Sequence, residues 1–319
     1  MIKISEKKAL RNVFGDHLVY LGKKNNKICV VSCDLKSATK TSNFFKAFPK
    51  RSFEVGIAEA NGLGIATGLA LKGFIPIISS FGTFITGKFL EIRTSISYNN
   101  APVKIIGTHG GLIGKDGATQ SGTQDLSLMM SLPNFEVFQP CSPIETIQIL
   151  NHVVKSNKPS YVRICRNNVG EVYDQNYKFI PGKPQELIKS KTNTIISSGP
   201  LIFNSLDAIK YLSQKKIKVG LININSIKPF NFNALEKILK TKKNILVVED
   251  HVSHGGISSL VYETIAKSKL NNCNIKSLNL DDKFSESGDP NDLEKANGFD
   301  AKNIAKIFYE KFNSTKWIC

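Results

Sequence analysis

What this chain lacks narrows it first. No apolar run approaches the ~20 residues needed to cross a bilayer, and Met1-Ile2-Lys3-Ile4-Ser5-Glu6-Lys7-Lys8 holds no signal-peptide core. Six cysteines stand at 29, 33, 141, 165, 273 and 319 without a CxxC pair, which argues against structural zinc and against a disulfide framework. A cytoplasmic location with no membrane role is the expectation. Acidic residues are scarce, 26 against 43 basic ones, for a net charge of +17. The lysines are spread from Lys3 to Lys316, and no run mixes basic with aromatic residues as a nucleic-acid reader does. A lysine-rich solvated surface, with no nucleic-acid partner, is therefore expected; its positive field would draw in phosphorylated substrates.

What is present suits a soluble globular protein. Hydrophobic residues make up 41% and charged residues 22% of 319 positions, enough for two domains with a core each. Strand-like and helix-like segments alternate. Ser5 is placed to cap a helix whose face carries Leu10, Val13, Phe14, Leu18 and Leu21. Strands are expected at Ile28–Ser32, Phe74–Ser79, Val103–Thr108, Phe135–Gln139 and Tyr161–Cys165, with a helix from Asn61 to Leu71. A polar stretch with Pro181 and Pro184 breaks the pattern and reads as a linker. Alternation resumes with strands at Thr194–Ser197, Lys218–Ile222, Asn244–Val248 and Ile275–Leu280. The expected architecture is α/β, with two parallel-type sheets, in domains 1–175 and 193–319 joined by a linker at 176–192.

The most informative stretch is Phe53-Glu54-Val55-Gly56-Ile57-Ala58-Glu59-Ala60-Asn61, which sets Glu59 among small and apolar residues. A carboxylate there is costly unless something specific uses it. A second block, Gly107-Thr108-His109-Gly110-Gly111-Leu112-Ile113-Gly114-Lys115-Asp116-Gly117-Ala118-Thr119, follows a strand, where open α/β sheets place their ligands. It is no P-loop, because Gly114-Lys115 is followed by Asp116 and not by Ser or Thr.

Together these blocks resemble the pyrimidine-binding domain of thiamine-diphosphate enzymes, and the transketolase branch in particular. Ser226-Ile227-Lys228-Pro229 and Val248-Glu249-Asp250-His251, followed by Gly255-Gly256, resemble the transketolase C-terminal domain. The resemblance implies that Glu59 hydrogen-bonds the cofactor's aminopyrimidine and activates it. It implies that Phe84 stacks on that ring with support from Phe81, and that His109, Asp116 and Arg166 bind substrate. Arg163, in the strand that ends just before Arg166, reads as a surface residue. His251 and His254 lack a third ligand at useful spacing, so a structural role is expected for them.

Two departures stand out. Gln120 occupies the place of a substrate-contacting histidine, and an amide can neither become cationic nor serve as an acid near neutral pH. The family's phosphate-binding serine falls near Ala38, leaving Ser37 as its substitute. The Gly-Asp-Gly motif that holds the cofactor's diphosphate and Mg²⁺ in transketolases is missing. The resemblance thus implies the C-terminal subunit of a split transketolase, moving a two-carbon ketol unit from a ketose to an aldose. An N-terminal subunit carrying Gly-Asp-Gly would be its partner, in an α2β2 heterotetramer. The alternatives are the β subunit of a 2-oxo acid dehydrogenase, a deoxyxylulose-phosphate-synthase-like enzyme, and a non-catalytic scaffold subunit.

Overall fold

A computed structural model describes residues 7 to 313 except 113 and 271. Ser5, the expected helix cap, lies outside the described residues; the helix runs Leu10–Lys24 and buries Leu10, Phe14, Leu18 and Leu21 at helical spacing. The first half supplies β1 (Lys8–Ala9), β2 (Ile28–Ser32), β3 (Ser52–Glu54), β4 (Ile75–Phe81), β5 (Lys104–Thr108), β6 (Glu136–Phe138), β7 (Ser160–Ile164) and β8 (Asn168–Val169). The second half supplies β9 (Gln185–Ile188), β10 (Asn193–Ser197), β11 (Gly220–Asn223), β12 (Ser226–Lys228), β13 (Asn244–Val248) and β14 (Asn274–Leu278).

The first sheet has seven strands in the order β12-β6-β7-β5-β4-β2-β3. All its pairs are parallel except that of β12 with β6. Every residue of β2, β5 and β7 is buried, as expected of strands covered on both faces by helices. The second sheet runs β14-β13-β10-β11-β9, parallel but for the edge strand β9.

Two features go beyond the sequence reading. The stretch expected to be a linker contributes β9, which pairs antiparallel with β11. Its pattern is hard to see because an edge strand is paired on one side only; all four of its residues are partly exposed. More consequential is β12, which leaves the second half of the chain to extend the first sheet beside β6. One apolar cluster accordingly runs from Val31 and Ile105 to Ile196, Ile227 and Val247. No helix among the described residues is long and apolar enough to cross a membrane.

Candidate active site

Parallel pairing brings the carboxyl ends of β3, β2, β4, β5 and β7 to one edge, with Phe81, Thr108 and Ile164 in register. Side chains just beyond those ends therefore converge. Glu59 opens the helix Glu59–Leu71, where a negative charge meets the positive end of the helix dipole. It is only 7% exposed. The Ser80 hydroxyl donates to its Oε1 at 2.9 Å, while Oε2 makes no hydrogen bond among the described residues. Beside it, burial first and then the Glu59 and Glu54 charges push the Cys33 thiol up to about 12, so it stays protonated.

Phe84, Phe81 and His109 form a column of rings. Phe84 and Phe81 stack at 5.3 Å and 14°, and Phe81 lies 3.8 Å from the imidazole at 32°. His109 adopts a left-handed backbone, φ 58°. Its Nε2 faces the Arg11 guanidinium at 3.3 Å. Because arginine only donates, Nε2 must accept, and the proton sits on Nδ1, which points to Thr108 Oγ1 at 3.0 Å. Thr108 Oγ1 in turn donates to the Ser80 carbonyl. Burial first, then Arg11 and Arg166, hold the imidazole down to about 3, so His109 is neutral near pH 7.

Arg166 lies beyond β7 and pairs with Asp116 at 2.6 Å, both side chains about two-fifths exposed. Arg11, Lys40, Lys115 and Arg166 line a cleft of about 680 Å³ whose far wall includes Asn291 and Glu294 of the second half. Ser37 is exposed and opens on a neighbouring hollow with Asn12, Asp16 and Lys40. Next to it, the Ala38 carbonyl accepts from Arg11 at 3.3 Å. Gln120 ends a short 3₁₀ turn, Ala118–Gln120, and does not line the cleft. The structure thus brings Glu59, Phe81, Phe84 and His109 together, and Asp116 with Arg166, but sets Ser37 apart.

Two further residues belong to the site's framework. Arg11 joins the 34–41 loop to His109, yet nothing in the spacing of an amphipathic helix marks it. Arg163 is not at the surface, as its sequence position suggests: it is 1% exposed, held by Asp125 and Asp250. An arginine interrupting the apolar run Ser160-Tyr161-Val162-Arg163-Ile164 is the available signal. His251 is fully buried, with Nε2 accepting from the Ser127 amide and Nδ1 donating to the Val252 carbonyl, so both nitrogens are used structurally.

Comparison with known proteins agrees with this two-domain architecture. Residues 6–171 match the transketolase pyrimidine-binding domain and residues 182–304 the transketolase C-terminal domain. The chain therefore belongs to the transketolase family. In particular, its two domains are those of a transketolase C-terminal section. It is 34% identical over 317 residues to a "Putative transketolase C-terminal section" of Methanocaldococcus jannaschii, covering 98% of this chain and 99% of that one. An apulose-4-phosphate transketolase subunit from Actinobacillus succinogenes is 29% identical, over 95% of this chain and 98% of its own. A 1-deoxy-D-xylulose-5-phosphate synthase of Halothermothrix orenii is 31% identical over 88% of this chain, which spans only 45% of that enzyme. Among solved structures, a "Split gene transketolase, inactive beta4 tetramer" superposes with a TM-score of 0.87 at 34% identity, covering 95% and 98% of the two chains.

Proposed function

We propose that this chain is the C-terminal subunit of a two-chain, thiamine-diphosphate-dependent transketolase-like enzyme, transferring a two-carbon ketol unit from a ketose to an aldose in the cytoplasm. The observation that carries this reading is Glu59: a buried carboxylate, fixed at Oε1 by Ser80, the residue before Phe81 of the Phe81–Phe84 stack, with Oε2 unengaged among the described residues. That arrangement fits one end of a flat heteroaromatic ring, with Oε2 accepting from a ring nitrogen and Phe84 offering a face. The bound cofactor would supply the carbanion chemistry. The chain's own share is to hold the Glu59 carboxylate in place, to exclude water with the phenylalanines, and to present substrate groups to His109. Neutral His109 offers no charge to the substrate, so an anionic tail would be met by Arg11, Lys40 and Arg166 in the cleft.

The partner is expected to carry the Gly-Asp-Gly site for diphosphate and Mg²⁺, since that sequence is absent here. Two relatives of nearly this length, one named as a transketolase subunit and one solved as a split-gene transketolase, support the division into two chains. The assembly would be an α2β2 heterotetramer. Co-purification with a Gly-Asp-Gly chain, followed by turnover assays on ketoses and aldoses, tests the reading. Ketol transfer by the pair and not by either chain alone is expected; a stable pair without turnover on any ketose would favour the scaffold alternative.

A further inference from the structure

The second domain reaches the loop 109–122 at two places. At the loop's base, Arg163 donates from Nη1 to Asp250 Oδ1 at 2.8 Å, and from Nη2 to the carbonyls of Gly122 at 2.6 Å and Asp250 at 3.1 Å. The Gly122 carbonyl also accepts the Gly111 amide at 2.9 Å, so a single oxygen closes the loop and receives the guanidinium. Asp125 faces Arg163 Nε at 3.2 Å and accepts the Tyr161 hydroxyl at 2.5 Å. Two of the loop's glycines permit this approach. A Cβ on Gly110 would overlap the Arg163 side chain, and one on Gly111 would strike the Asp250 carboxylate. At the tip, Ser287 donates to the Lys115 carbonyl at 2.5 Å, and Pro290 packs against Gly114.

We infer that Asp250 acts through Arg163 as a positioning pair for this loop, so that the second domain sets how His109 and Asp116 meet the acceptor. This inference rests on the transketolase-like reading for its kinetic consequence but not for its structural one. A guanidinium suits the task because its planar fork can join a carboxylate and a carbonyl at once, whereas an ammonium offers a single point of charge. Neither residue touches the cleft, so both act only by holding the loop.

The test uses Asp250→Asn and Arg163→Lys in the full-length chain. Amide hydrogen exchange is read first. In both variants the amides of 110–122 should exchange at least about tenfold faster, while those of Ile195, Ile196 and Val247 keep their protection. Unchanged exchange in the loop would overturn the inference, and so would equal loosening of both sheets. Because a buried ion pair is being altered, the exposed Ser287→Ala serves as a second variant. It should speed exchange only near 114–117, and no change there counts against the inference. In the enzyme reconstituted with its N-terminal partner, KM for the acceptor aldose should rise about tenfold in Asp250→Asn, with the donor half-reaction within about twofold of wild type. Equal losses in both half-reactions would overturn the kinetic claim. Absence of ketol transfer in the wild-type pair would sink the functional reading instead, leaving the exchange data to judge the positioning pair.

Discussion

Phe81 packs against His109 with ring centroids 3.8 Å apart and planes tilted by 32°, covering one face of an imidazole whose edge is already occupied by Arg11 and Thr108. An imidazole so enclosed has no water to stabilise a positive charge. His109 is therefore a neutral hydrogen-bonding group, and its protonation is coupled to the stability of the fold.

The sign of that coupling follows from the shift. The unfolded chain takes up a proton on His109 near pH 6.5 and the folded chain only near pH 3, so stability falls as pH drops through this window. His251, held down to about 4 chiefly by burial, acts in the same direction. Glu249 opposes them, because burial lifts its carboxyl to about 7 and the folded state then holds the extra proton. Between pH 7.5 and 5, wild type should lose about 2 kcal/mol more than His109→Asn. Urea unfolding at the two pH values measures the difference; parallel losses would show that His109 titrates normally.

Glu59→Gln should leave the fold nearly intact, since the amide oxygen can still accept from Ser80. Stability should change by less than about 1 kcal/mol. Turnover of the reconstituted pair should fall by about a thousandfold or more, with donor KM changed little. Retained turnover would remove Glu59 from the activating role.

Asp116 competes with an incoming phosphate for Arg166, whose Nη1 it holds at 2.6 Å. Exposed pairs of this kind are worth about 0–1 kcal/mol. Asp116→Asn should thus raise the preference for a phosphorylated over an unphosphorylated aldose by up to about fivefold, even if both rates fall. Specificity constants for the two aldoses in wild type and variant are the measurement, and an unchanged ratio would show that the pair does not tune acceptor charge.

Calorimetry of the isolated chain should detect only weak, Mg²⁺-independent binding of thiamine diphosphate. The site contributes one carboxylate oxygen and an aromatic face but no Gly-Asp-Gly sequence. Addition of the partner chain should restore tight, Mg²⁺-dependent binding. Tight binding without it would place the diphosphate site in this chain.

The strands and the unusual setting of Glu59 are legible in the sequence because each depends on local pattern. Ile28–Ser32 is a short apolar run between turns, and Glu59 is conspicuous as a carboxylate among small residues. What is not legible depends on distant partners. Arg163 looks like an exposed strand residue until Asp125 and Asp250, 38 positions before and 87 after, are brought around it. Ser37 rests on register alone, and the hollow it opens on is formed with Asn12 and Asp16 of a distant helix. Likewise Gln185–Ile188 gains its identity as a strand only from Gly220–Asn223.

The placement of Ser226–Lys228 in the first sheet limits how this protein can be cut and recombined. Those three residues are encoded well inside the second domain, yet they finish the sheet that carries the site. A chimera that exchanged the C-terminal domain at residue 182 would import a foreign edge strand along with it, and a truncation there would leave β6 bare on one side. Between its own two domains the chain must be inherited as one piece.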